Sequence, residues 1–407
     1  MTRRTLATLL FVLCASPAYS AKQTVTGART TTQNPVVIPF EFVTRHILIK
    51  VRINNSAPLS FILDTGDKVA IVDIGKARSL GLTLEGSVNV GGAGAGTLKG
   101  SMVRDASLNV VGLDGITQPV VMAIPLEGLA PRFGHDIDGI IGADFIGQFA
   151  LEIDYPARVL RFYAKTKFDY SGPGETIPLT FVLGGYPVIA SEILIAGRQP
   201  IKGKFVIDIG SGGSLALHRP FVEREDLLSV TPKTIRAIGA GGAGGKVTGR
   251  SGRISGIRIG KFQIEDLPTL FSEDRAGALA NSDLQGNIGA LILSKFKVIF
   301  DYSRSRMILE ANASFPELIL PAGSGLRIIA EGSDYKTYRI DELLEESPAT
   351  EAGFQTGDVV LTVDGRPAAQ FTLTSLHDLL EKPSARKISV RRGERKLNLT
   401  LTPRRLI

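Results

Sequence analysis

Short runs of β-branched and aliphatic residues alternate with polar ones along most of the chain, as in HILIKVRI (46–53), SLNVVGL (107–113), GRISGIRI (252–259) and KVIFDY (297–302). A period near two, broken at regular spacing by Gly, Pro or Asn, predicts strands joined by tight turns. Short helices are expected after Gly142 and Gly289. The chain therefore reads as mainly β.

The pattern occurs twice. IIGADFIGQFALEIDYPARVLRFY (140–163) aligns with NIGALILSKFKVIFDYSRSRMILE (287–310), placing Gly142 against Gly289 and Asp154 against Asp301 at an offset of 147. Upstream, FILDTGD (61–67) aligns with FVIDIGS (205–211), which sets Asp64 against Asp208 at an offset of 144. Each half carries a glycine run, GGAGAGTLKG (91–100) and GAGGAGGKVTG (239–249), and the halves open alike with VVIPFEF and TIPLTFV. A period this long, seen only twice, does not make a solenoid. Two similar β lobes are expected, at 36–165 and 175–312, joined by the linker AKTKFDYSGPGET (164–176).

Composition narrows the chemistry. With 407 residues and 43% hydrophobic content the chain can bury substantial cores. Residues 1–20, MTRRTLATLLFVLCASPAYS, read as a basic start, an apolar run and small residues at Ala18 and Ser20, the form of an export signal too short to span a membrane. Arg3 and Arg4 are ordinary signal residues and a weak pointer to twin-arginine export, and Leu13 before Cys14 does not fit a lipid-anchor signal. Removing two arginines with the signal takes the formal charge from +7 to +5. The basic residues are scattered, with no aromatic-lined basic patch, so nucleic acid is not an expected partner. Cys14 is the only cysteine, which excludes disulfides and thiolate metal sites from the mature chain, and the four His residues lack metal-ligand spacing. No metal or cofactor is expected.

Two carboxylates held about 3 Å apart cannot both ionise, so one acts as base and the other as acid near one pH. That is the chemistry needed to activate a water against a peptide carbonyl without metal or covalent nucleophile. A strand ending in Asp-x-Gly, then a glycine hairpin, then a hydrophobic-hydrophobic-Gly segment, all present twice in register over residues 36–312, resembles the aspartic peptidases of the pepsin and retropepsin type. The resemblance implies that Asp64 and Asp208 are the catalytic pair. It implies that Gly66 and Gly210 let the two loops turn closely past each other, that Thr65 reaches across to the opposite loop, and that Ser211 hydrogen-bonds an aspartate. It also implies that Gly91, Gly92, Gly94 and Gly96, with Gly241, Gly242, Gly244 and Gly245, belong to flaps closing over an extended peptide.

Two positions depart from the family. Ile209 stands where the second cross-linking Thr or Ser is expected, removing half of that hydroxyl network. Asp67 stands where Ala or Ser is usual, either turned toward the pair as a third acid or turned outward and solvated beside Lys68. AGGAGGKV in the second glycine run has Ala240 and Val247 at the Gly and Ser/Thr positions of a phosphate loop, which argues against nucleotide binding. GHDIDGIIG offers His135, Asp136 and Asp138, read as the polar approach to a buried strand in preference to a metal site.

After the Pro/Gly-containing FPELILPAGSG (315–325) the repeat stops. SPATEAGFQTGDVVLTVDG (347–365) resembles the PDZ domains of bacterial envelope proteases, over residues 324–407. The resemblance implies peptide binding by strand addition, with the groove expected at the strand TYRIDEL (Tyr338, Arg339, Ile340) and the helix TSLHDLL (Leu376, Leu380). The usual Gly-hydrophobic-Gly carboxylate loop is not evident in EGSDYKTY. The whole reads as two homologous retropepsin-like (acid protease) β lobes plus a C-terminal α+β PDZ domain, an exported and periplasmic aspartic endopeptidase acting on polypeptides. A degenerate protease that only binds peptides, or a PDZ adaptor on a β scaffold, are the alternatives.

Overall fold

The computed structural model describes residues 34–237, 241–242, 244–319 and 323–407. The expected export signal at 1–20, residues 238–240 and 243 in and beside the second glycine run (Ala240 of the phosphate-loop comparison among them), and 320–322 of the linker before the PDZ domain lie outside the described residues.

The chain is mainly β, and the repeat is visible as topology. In the first lobe the strands run in the order Glu41–Val43, His46–Ile53, Leu59–Leu63, Gly139–Ile141, Ala70–Asp73, Gln118–Ile124, Leu98–Arg104, Thr83–Val90. The second lobe repeats that order with Thr180–Val182, Tyr186–Leu194, Ile201–Ile207, Gly286–Ile288, Leu215–Leu217, Phe262–Ser272, Gly249–Ile259 and Thr234–Arg236. Additional pairings, Ser107–Val110 with two strands of the first lobe and Tyr186–Leu194 with Gly249–Ile259 in the second, curl each sheet toward a barrel. Short helices follow Gly142 and Gly289, at Ala143–Ile146 and Ala290–Leu293.

A six-stranded antiparallel sheet joins the lobes, three strands from each, with Phe149–Asp154 against Phe296–Asp301 at its centre. Glu152 faces Ile299, its own repeat equivalent 147 residues on, so a local two-fold passes between them. One apolar core extends through both lobes, from Ile38 to Ile319. This shared burial fixes the lobes face to face, since separating them would expose apolar area at about 25 cal/mol per Å².

The C-terminal region has a separate core. Its sheet order is Leu326–Glu331, Thr337–Leu343, Val359–Val363, Arg386–Arg392, Arg395–Leu401, with the helix Leu373–Glu381 packed alongside. Ser347 and Thr372 each close a capping box at a helix start, which explains why the chain turns helical there. No helix among the described residues is long and apolar enough to cross a membrane.

Candidate active site

Asp64 and Asp208 each end a strand that is paired in parallel with a strand from much later in its lobe: Leu59–Leu63 with Gly139–Ile141, and Ile201–Ile207 with Gly286–Ile288. Leu59–Leu63 is buried along its whole length, because strands lie on both sides of it. The backbone N–H of Asp64 donates to Ile141 O (2.9 Å) and that of Asp208 to Ile288 O (3.0 Å), anchoring both loops identically. Between the loops Thr65 Oγ1 donates to Ile207 O (2.6 Å) and accepts from Ile209 N (3.0 Å). Ile209 is fully buried and has no hydroxyl to return the pair of bonds, so the cross-link is one-sided. A Cβ on Gly66 would lie 2.8 Å from Asp208 Oδ1, and one on Gly210 would coincide with the Asp64 carboxyl. These glycines are needed for close approach: each leaves room for the carboxylate of the opposite lobe.

Burial is the largest cause raising all three acids, since the charged form is the one that loses solvation. Asp64 is held well above the usual range, first by burial and then by the charges of Asp208 and Asp67. Asp208 is also raised by burial, but donors offset this: the Asn287 amide, the hydrogen bond shared with Asp64, and the backbone N–H groups of Ser211 and Gly210. Asp67 is pushed up to about 6, by burial and then by Asp208, which identifies it as a third acid facing the pair. Ser211 serves Asp208 through its backbone N–H.

Several site residues had no sequence signal. Asn287 Nδ2 donates to Asp208 Oδ2 (2.8 Å), and buried His218 holds Asn287 Oδ1 through Nε2 (2.9 Å). His46 and Tyr186 begin equivalent strands, and each reaches the other lobe. His46 contacts Gly210 and is pushed down to about 4 by burial; Tyr186 senses all three acids and is raised to about 12, again chiefly by burial. Only the matching starts of HILIKV and YPVIAS could have suggested the pairing.

The glycine runs meet. The first lies at the tip of the Thr83–Val90 and Leu98–Arg104 hairpin, the second around the two-residue ladder Gly241–Gly242 and Gly245–Lys246. Gly96 N donates to Gly244 O (2.8 Å), Gly244 N to Ala93 O (2.8 Å), and Ala278 N to Gly92 O (3.0 Å). A Cβ on Gly94 would lie 2.6 Å from Gly244 O, and one on Gly242 would press on Ala93 at 2.9 Å. Gly91 has open space around it, and Gly245 adopts φ 93°. His135, Asp136 and Asp138 diverge: His135 faces Glu41, Asp136 accepts from Tyr335, and Asp138 accepts from Ser60 N and pairs with Lys76.

The expected PDZ groove needs correction. Thr337–Leu343 lies between two strands, so it has no free edge to which a peptide could add. Tyr338, Ile340, Leu376 and Leu380 are core residues, and Arg339 is paired with Glu331. One edge strand is Arg395–Leu401; the other is Leu326–Glu331, preceded by Gly323-Ser324-Gly325, and His377 of the adjacent helix bonds Ile328. The first lobe lies beside it: Thr44 N donates to Thr374 Oγ1 (3.0 Å), Tyr335 OH to Asp136 Oδ1 (2.7 Å), and Gly134 sits against Leu373 and Ala330. Glu342 meanwhile pairs with Arg236 and Lys246 of the second lobe.

Two barrel-like lobes offering one Asp-x-Gly loop each, followed by a small α+β domain, define a class: an aspartyl protease domain joined to a PDZ domain. Comparison with known families agrees, for residues 49–145 match the aspartyl protease family and residues 339–392 the PDZ domain. None of the curated proteins matches the chain. A solved structure, the photosystem II D1 C-terminal processing protease, is 29% identical over 21% of this chain and 23% of its own, with a TM-score of 0.20. That likeness spans under a quarter of either protein and carries nothing about this one.

Proposed function

We propose that the chain is an aspartic endopeptidase in which Asp64 and Asp208 share one proton and activate water against a peptide bond. The observation that carries this is the mutual fit of the two loops: each glycine is required by the carboxylate of the opposite lobe, so the two acids share one half-buried site. The ionised acid takes a proton from water as the water attacks the carbonyl, while the protonated one hydrogen-bonds the carbonyl oxygen. The proton gained by the first then goes to the leaving amine. Polypeptide would lie under the two glycine tips, whose joining hydrogen bonds must part for substrate to enter.

The division into lobes at 36–165 and 175–312 with a PDZ domain at 324–407 is part of this reading, as are export through residues 1–20 and action in the periplasm. The PDZ domain would take a polypeptide segment at the Leu326–Glu331 edge by strand addition once the first lobe, which lies against that strand, has moved aside.

The test is hydrolysis of an unfolded protein by chain lacking residues 1–20, from about pH 3 to 8, beside Asp64→Asn and Asp208→Asn. Cleavage that disappears in both variants, with folding retained, is the expected result. Equal cleavage in either variant would overturn the shared-proton pair. Binding of the unfolded protein without cleavage in all three would make the protein a peptide binder.

A further inference from the structure

The two aspartates are equivalent by descent from the repeat but not by surroundings. Asp64 accepts one bond from its own loop, Gly66 N to Oδ1 at 2.6 Å. Asp208 has an additional side-chain donor, Asn287 Nδ2 at 2.8 Å, on the strand paired in parallel beneath it. At the repeat-equivalent position of the first lobe stands Ile140, buried and with nothing to donate. The amide orientation is determined by its neighbours: His218 Nε2 lies 2.9 Å from Asn287 Oδ1, and a carboxylate accepts only the NH₂ end. His218 is itself buried, and its Nδ1 lies 3.2 Å from a second acceptor, Asn281 O, to which a neutral ring protonated on Nε2 donates nothing. Burial keeps the imidazole below its ordinary range, so the neutral ring with the proton on Nε2 matches the contact with Asn287.

We propose that Asn287, oriented by His218, is a positioning residue that makes Asp208 the ionised member of the pair and leaves the shared proton on Asp64. This deepens the peptidase reading and rests on it for its meaning, since it assigns the base to Asp208 and the acid to Asp64. A donor to one carboxylate stabilises that carboxylate's charged form, and the other acid then keeps the proton. Of the remaining groups facing Asp208, the backbone N–H groups of Ser211 and Gly210 act in the same direction, as Gly66 N does for Asp64, and the side chains around it add no such bias. Asp64 and Asp67 are acids on the opposite loop, Tyr186 is neutral with its hydroxyl raised to about 12, and His46, pushed down to about 4, touches Gly210. Lys68 lies toward Gly184 and Asp144.

The decisive measurement does not require turnover. Chain labelled with ¹³C at the Asp carboxyls is titrated by NMR, with Asp64→Asn and Asp208→Asn used to assign the two signals. The first ionisation on raising the pH is expected at Asp208. In Asn287→Ile, which installs the residue the first lobe already carries at this place, that step is expected about one pH unit higher, as a hydrogen bond to a charged group warrants. His218→Gln, whose amide can still donate to Asn287, should keep the wild-type midpoint, and His218→Leu should move it in the same direction as Asn287→Ile. A first ionisation at Asp64 in the wild-type chain would overturn the assignment even if Asn287→Ile and both His218 variants failed to fold. An unmoved midpoint in folded Asn287→Ile would overturn it equally. Because the titration needs no cleavage, an inactive but asymmetric pair would sink the peptidase reading and leave this inference standing.

Discussion

Asp67 is the residue whose chemistry most changes the expected behaviour of the site. It faces Asp208 and helps to raise Asp64, so its removal should lower the affinity of Asp64 for its proton. If Asp64 is the acid, Asp67→Asn should move the high-pH limb of kcat/KM toward lower pH, which a pH–rate profile reads directly. Stability should respond as well. An acid whose folded value is raised from 3.8 to about 6 binds its proton more tightly when folded, so its contribution is complete below the unfolded value and is lost as the pH rises through the folded one. Urea unfolding of wild-type chain should therefore show stability falling across that window, and the fall should be shallower in Asp67→Asn. The sequence left the direction of Asp67 open because a residue after Asp-Thr-Gly can point either way. The approach of Asp208 from another lobe decides it. Asn287 was illegible for a related reason: in GNIG it aligns with Ile140, and only the parallel pairing of Gly286–Ile288 beside Ile201–Ile207 brings it to Asp208.

At the scale of elements, the glycine tips are where composition translated most directly into geometry. Their hydrogen bonds join one lobe to the other, and neither tip tolerates a side chain at its closest point. Gly244→Val would drive a side chain into the carbonyls of Ala93 and Gly94 and hold the tips apart. The expected effect is a rise in KM of about tenfold, the equivalent of roughly 1.4 kcal/mol of substrate binding, with a thermal midpoint close to wild type. An unchanged KM would remove the tips from any role over substrate. The central six-stranded sheet was invisible in the sequence, although its strands were readable individually. LEID and VIFD carry no mark that they pair with each other, because antiparallel partners are chosen by the docking of whole lobes.

For the whole molecule, the PDZ domain is braced on both lobes, through Thr374, Tyr335 and Leu373 to the first and Glu342 to the second. Gly134 ends the helix Ala130–Phe133 at φ 61°, and a Cβ there would lie 2.9 Å from that of Leu373. Gly134→Val should therefore loosen the PDZ domain from the first lobe, seen as faster limited proteolysis between residues 313 and 325. The same cleavage rate as wild type would mean that the Glu342 pairs suffice to hold it. Strand order explains why the groove was misread: TYRIDEL alternates like an edge strand, but it is flanked on both sides.

Residue pattern carried the β content and the two-fold repeat, because each rests on local periodicity, and a family resemblance carried by short motifs supplied the pairing of Asp64 with Asp208 and the presence of a PDZ domain. The inward turn of Asp67, the one-sided Thr65 link, the Asn287–His218 support behind Asp208, the meeting of the glycine tips and the covered PDZ edge needed the folded chain. Each depends on contact between segments far apart in sequence, most of them in different lobes, and such contacts are selected by burial and hydrogen-bond satisfaction over the whole core and not by any one stretch of residues.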